Sequence, residues 1–82
     1  MQDGIFSPGI NEMVEDVIRF EIERSKQSPA SMNRGEKIEI IRALDRKGVF
    51  DVKGSPELVA SMLGTSIFTI YNYLKEARNE YK

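Results

Sequence analysis

At 82 residues the chain has room for one small core, because folded domains usually run to about 100 to 150 residues, and a deep catalytic cleft is not expected. Cysteine and histidine are both absent, which excludes disulfides, zinc fingers, thiol nucleophiles and imidazole-based triads. The net charge of −1 argues against a polyanionic partner, yet residues 1–32 carry three basic and six acidic side chains (−3) and residues 33–82 nine basic and seven acidic (+2); the local field is what steers a polyanion.

Residues 1–9, with Gly4, Pro8 and Gly9, read as a frayed lead-in without the basic start and apolar run of a signal peptide. No apolar run approaches the roughly 18 to 20 residues needed to span a bilayer, so a cytoplasmic protein with no membrane partner is expected. From Ile10 the apolar positions Ile10, Met13, Val14, Val17, Ile18, Phe20 and Ile22 recur mostly at three- and four-residue steps, which predicts a helix to about Lys26, capped by Ser7 or Asn11. Its apolar arc is wider than one docking face requires, since Phe20 and Ile22 fall to either side of the main stripe. Such a helix is more often core than partner surface, but residues 33–82 already carry their own apolar set, so Ile10, Met13, Val14, Val17 and Phe20 are the expected seam of a homodimer. Residues 1–32, lead-in plus amphipathic helix, form one unit and residues 33–82 another.

The polar linker SKQSPASMN separates the two. Asn33 and Glu36 have capping-box spacing, so a second helix starts there and runs to about Lys47. It sets Ile38, Ile41 and Leu44 on one face and Glu39, Arg42 and Arg46 outside, with Gly48 as a left-handed stop. VFDVKG, at 49–54, alternates too briefly to be more than an extended connector or an isolated strand. Ser55 is the expected N-cap of a third helix, with Pro56 in its first position and Glu57 facing its positive end. That helix ends at Gly64, and Ser66 caps a fourth that reaches about Asn79.

Two short helices joined by Gly64-Thr65-Ser66 have the sequence form of a helix-turn-helix. The packing demand is specific. Ala60 must be small where the second helix crosses, Gly64 must accept a left-handed backbone, and Val59, Leu63, Ile70 and Tyr73 must fill the wedge. The fold class is thus all-α: a helix-turn-helix without a wing, in three to four helices, preceded by an amphipathic helix.

The string EKIEIIRALDRKGVFDVKGSPELVASMLGTSIFTIYNYLKE, residues 36–76, resembles the DNA-binding region of the YheO-like bacterial transcriptional regulators, the family that includes the D-arginine utilisation repressor. Glu36-Lys37, Gly48-Val49-Phe50, Lys53-Gly54, Val59-Ala60, and Ser66 with Thr69 and Tyr71 to Leu74 carry the resemblance, over about half of the chain. It implies double-stranded DNA as the partner. It also implies a PAS-like effector-sensing domain, for which this chain has no room, so the chain reads as a C-terminal fragment or a naturally short relative. Ser55-Pro56 stand where the family pattern has a small and an aliphatic residue, and Ile67 stands where a polar or basic one is common.

With Ile70, Tyr73 and Leu74 buried, a 3.6-residue period turns the remaining positions of the last helix toward a groove. Base contacts are expected from Ser66, Ile67, Phe68, Tyr71 and Asn72. Asn72 has the carboxamide that pairs with adenine N6 and N7, and Ile67 and Phe68 have apolar surface for thymine methyls. Phosphate contacts are expected from Lys53, Ser55, Thr69, Lys75 and Arg78, with the Tyr71 and Ser66 hydroxyls also within reach of the backbone. Each has a blander reading: Asn72 a solvated polar residue, Ile67 and Phe68 core or dimer contacts, Ser66 a plain cap, the lysines solvent-facing. The expected function is sequence-specific DNA binding by a transcriptional regulator, with no metal and no cofactor. The alternative is a small helical adaptor that binds protein. An enzyme is not expected, because Asp45, Asp51 and Glu57 sit at helix ends or beside basic residues, where charge balance explains them.

Overall fold

The computed structural model describes residues 10–79, with side chains from Glu12 onward. The described residues form four helices, α1 (Ile10–Arg24), α2 (Arg34–Arg46), α3 (Ser55–Leu63) and α4 (Ile67–Asn79), with single 3-10 turns at Pro29–Ser31 and Val49–Asp51. The VFD segment is therefore a 3-10 turn rather than an extended connector. The backbone of Gly48, at φ 82°, ends α2 and turns the chain so sharply that the Asp51 amide reaches the Gly48 carbonyl at 3.1 Å. Ser7 as a cap of α1 lies outside the described residues.

Each boundary has a local cause. The capping box at α2 is complete: Asn33 Oδ1 accepts from the Glu36 amide at 2.8 Å, and Glu36 Oε1 accepts from the Asn33 amide at 2.9 Å. These bonds, first the Asn33 amide and then the Gln27 side chain, hold the Glu36 carboxyl below the usual carboxylate range. Gly64 closes α3 at φ 69°, with the Gly64 amide on the Ser61 carbonyl at 3.3 Å and the Thr65 amide on the Ala60 carbonyl at 2.9 Å. That pair of bonds is the Schellman arrangement. A Cβ on Gly64 would meet nothing within 4 Å, so the left-handed backbone and not space demands glycine.

One cap differs from the sequence reading. Gly54, left-handed at φ 85°, occupies the N-cap position of α3, which pushes Ser55 into the first turn. Ser55 is 1% exposed and its hydroxyl has no hydrogen-bond partner among the described residues. A phosphate contact from Ser55 is thereby corrected: the position takes a small side chain because it is buried.

The core gathers where all four helices meet. Ile18 of α1, Ile41 and Leu44 of α2, Val59 and Leu63 of α3 and Ile70 of α4 are almost completely buried. α4 packs on α2 and α3, and α1 packs on the same two helices. Met32 in the linker is also buried and anchors that segment to the core. Arg42, expected outside, has a largely buried side chain that pairs with Glu39. Among the described residues no helix is long and apolar enough to cross a membrane.

The amphipathic helix belongs to this same core. Val14 is 7% exposed and Val17 packs against the cluster. Val14 is corrected from seam to core, because the module needs α1 to cover α2 and α3. Met13 (59% exposed) and Phe20 (52%) remain outside, two turns apart on one face, and the Ile10 side chain lies outside those described. The Phe20 ring has the Lys47 ammonium 4.8 Å from its centroid. Lys47 also sits 2.5 Å from the buried Glu21 carboxylate. That contact lacks hydrogen-bond alignment, so Glu21 Oε2 receives charge compensation from an ion pair alone.

Candidate nucleic-acid interface

α3, the left-handed turn and α4 form the helix-turn-helix, and α4 presents its outer side to solvent. At about 100° per residue, Ile70, Leu74 and Ala77 form the inward stripe, and Phe68, Asn72, Lys75 and Asn79 fall opposite them. The burial pattern agrees: the first three are buried and the last four exposed. Tyr71 is exposed on one edge of that outer face, and Thr69 is half-buried on the other.

Ser66 starts α4 by accepting from the Thr69 amide at 3.1 Å, and its hydroxyl donates to Thr69 Oγ1 at 3.0 Å. The side chain is thus engaged as a cap, with the Thr69 hydroxyl hydrogen left to donate elsewhere. Ile67 is half-buried against the core. Position 67 falls beside Leu74 toward the inward side, so Ile67 offers a groove less of its surface than Phe68 does. Phe68, by contrast, is 72% exposed.

Two ion pairs orient α4 on α2. On one flank the Arg34 guanidinium donates to both Glu76 carboxylate oxygens, Nη1 to Oε1 at 2.9 Å, and lies 5.7 Å from the Tyr73 ring centroid. The Arg34 hydrogen bond holds the Glu76 carboxyl below its usual range. On the other flank Arg78 Nε and Nη2 donate to Asp45 at 3.1 and 2.9 Å. Arg34 and Asp45 lie near opposite ends of α2, so the two pairs tie α4 to α2 at two separate points. The Arg78 guanidinium is paired in this brace, and its side chain stays half exposed. Tyr73, expected in the wedge, is half-buried under Arg34 at the rim.

The electrostatics of the outer face follow. Between Ser66 and Lys75 the only charged side chain is Lys75. Lys53, in the loop ahead of α3, is exposed, and neither lysine enters an ion pair among the described residues. The face is therefore an aromatic and carboxamide surface with one cation on it rather than a basic rim. A shallow cleft beside Asn72 is lined by Arg34, Asn72, Lys75, Glu76 and Asn79. Asn79 was legible as the position seven residues after Asn72 on the same face. Arg34 was not, since it reaches the site from another helix.

The comparisons with known proteins agree with this geometry. A family model described as an HTH domain matches residues 10–75, α1 included. An uncharacterized protein of Haemophilus influenzae is 31% identical over 75 residues, covering 92% of this chain and 34% of that protein. The uncharacterized protein YheO of Escherichia coli is 27% identical over 74 residues, covering 90% of this chain and 31% of its own length. The chain thus spans about a third of the length of these relatives. No solved structure matches significantly. A left-handed turn between α3 and α4, an outward-facing second helix and a family match across nearly all of the described residues converge on one assignment: the chain belongs to the HTH domain family, as a YheO-like helix-turn-helix domain.

Proposed function

We propose that this domain binds double-stranded DNA sequence-specifically, as the DNA-binding part of a bacterial transcriptional regulator acting in the cytoplasm by occupancy and without chemistry. The observation that supports this reading is the exposed ridge Phe68, Asn72, Lys75 on the second helix of a helix-turn-helix, the position from which such domains reach base edges in the major groove. Asn72 pairs with adenine, Lys75 and Lys53 hold phosphates, and the Thr69 and Tyr71 hydroxyls donate to the backbone. Two copies associate through Met13 and Phe20 of α1, which sets two α4 helices on successive half-sites.

Selection of bound sequences from a random duplex pool at low salt tests the reading, with enrichment of one motif as the expected result. Affinity should fall with salt, and the slope should be shallow. Two unpaired lysines per protomer correspond to about −1.8 in log K against log salt for each protomer bound, and about −3.6 for two copies on one duplex, at about −0.9 per neutralised phosphate. A second reading, the protein-binding adaptor, is favoured by the scarcity of positive charge around Phe68 and Tyr71. Absence of enrichment at low salt would transfer the assignment to it.

A further inference from the structure

Three surface features are left over from the fold and the ion pairs described above. One is the outer face of α1, another is the groove between α1 and α2 lined by Glu21, Arg24 and Arg46, and the third is the aromatic pair at the start of α4. The third carries furthest. Phe68 leaves most of its ring in water and Tyr71, one turn on, leaves about half of its own. Core packing does not explain Phe68, since Ile67 is the member of that turn that packs inward. Nor does a cation, because Lys47 and Arg34 stand over Phe20 and Tyr73 instead.

Resting on the reading of α4 as the groove helix, we infer that Phe68, flanked by Tyr71, reads the C5-methyl group of a pyrimidine, so that the domain favours thymine over uracil and 5-methylcytosine over cytosine at one position of each half-site. A phenyl ring has no hydrogen-bond donor or acceptor, so it cannot read the polar edges that distinguish most base pairs. The apolar feature of the major groove is the methyl at pyrimidine C5. Phe68 sits in the first turn of α4, the end from which recognition helices contact base edges. Asn72 follows on the same ridge about 6 Å further along the axis, at 1.5 Å rise per residue. It therefore addresses a different base pair, and its carboxamide supplies the polar readout that the ring lacks.

The consequence is regulatory. The ring meets only the methyl, and thymine and 5-methylcytosine present the same methyl at the same carbon. Cytosine methylation at that position therefore raises occupancy without any change of sequence.

The test uses the full chain and the duplex enriched by selection. Each thymine is replaced in turn by deoxyuridine, which keeps adenine as partner. At the responsive position a cytosine–guanine pair is then compared with and without the 5-methyl group. Loss of the methyl should weaken binding about threefold to fivefold in both comparisons, the effect of one buried methyl. Phe68→Ala, whose helicity is to be checked by circular dichroism, should bring both ratios close to one. If wild-type protein prefers its selected duplex but ignores deoxyuridine at every position, methyl reading is overturned and DNA reading stands. If the ratios persist in both Phe68→Ala and Tyr71→Ala, another side chain reads the methyl and the assignment is equally overturned. If no duplex is enriched, the groove-helix reading itself fails.

Discussion

α1 and α4 are both amphipathic helices that cover α2 and α3, and both leave large apolar side chains in water: Met13 and Phe20 on one, Phe68 and Tyr71 on the other. Their surroundings separate them. The outer side of α1 carries exposed Asp16 and Glu23, with Arg19 neutralised by Glu15 and Asp16 at 3.2 Å each. The outer side of α4 carries Asn72, Asn79 and Lys75, and its acidic neighbour Glu76 is tied to Arg34. An acidic helix repels phosphates, so its apolar residues suit a second protein surface. A neutral, amide-bearing helix with one lysine can approach DNA without that repulsion. Exposure of an aromatic residue thus says little until the charges around it are placed.

Substitutions can break this comparison, starting with the largest effect. Ile70→Ala empties the buried side of α4 and should destabilise the fold by about 2 to 5 kcal/mol in thermal or denaturant unfolding. Phe68→Ala on the opposite side should stay within about 0.5 kcal/mol of wild type. A large loss from Phe68→Ala would make that ring part of the core. On α1, Phe20→Asp should shift a dimer toward monomer in sedimentation by about 1.5 to 3 kcal/mol, the burial of one aromatic side chain, with helicity retained. Val17→Asp should instead unfold the domain, because Val17 packs against the core.

Asn72→Ala should lose about 1 to 3 kcal/mol on the selected duplex and less on random DNA, whereas Lys75→Ala should weaken both alike and flatten the salt slope by about one unit. Equal losses on both duplexes for Asn72→Ala would make α4 a backbone clamp.

The α2 capping box and the Arg34–Glu76 brace respond to pH. Glu36 and Glu76 are both held below their ordinary values in the folded state, so the unfolded chain binds more protons through the carboxylate range. Stability from these groups is present above that range and is lost as pH falls through their depressed folded values. Glu36→Gln and Glu76→Gln together should flatten the acid limb of a stability–pH profile, and an unchanged limb would assign acid sensitivity to other carboxylates. Ser55→Ala removes a buried, unpaired hydroxyl and should leave stability unchanged or raise it by up to about 1 kcal/mol.

What the sequence by itself determined is local. The Asn33–Glu36 capping box, the stop at Gly48, the left-handed turn at Gly64, the Ser66 cap and the 3.6-residue stripes each depend on residues within a few positions of one another, so their chemistry is visible in a string. That was enough for the helix-turn-helix and for the outward placement of Phe68, Asn72 and Lys75. Tertiary structure decided what depends on distant partners. Ser55 is buried because Gly54 takes its capping position and neighbouring elements close over it. Val14 became core and Ile67 turned inward because α1 and α4 share one set of buried residues. Arg78 pairs with Asp45, 33 positions away, and Arg34 enters the site through Glu76, 42 positions away. Helical periodicity orders side chains around one axis, but which arc is covered and which charge is neutralised depend on the helices that pack against it.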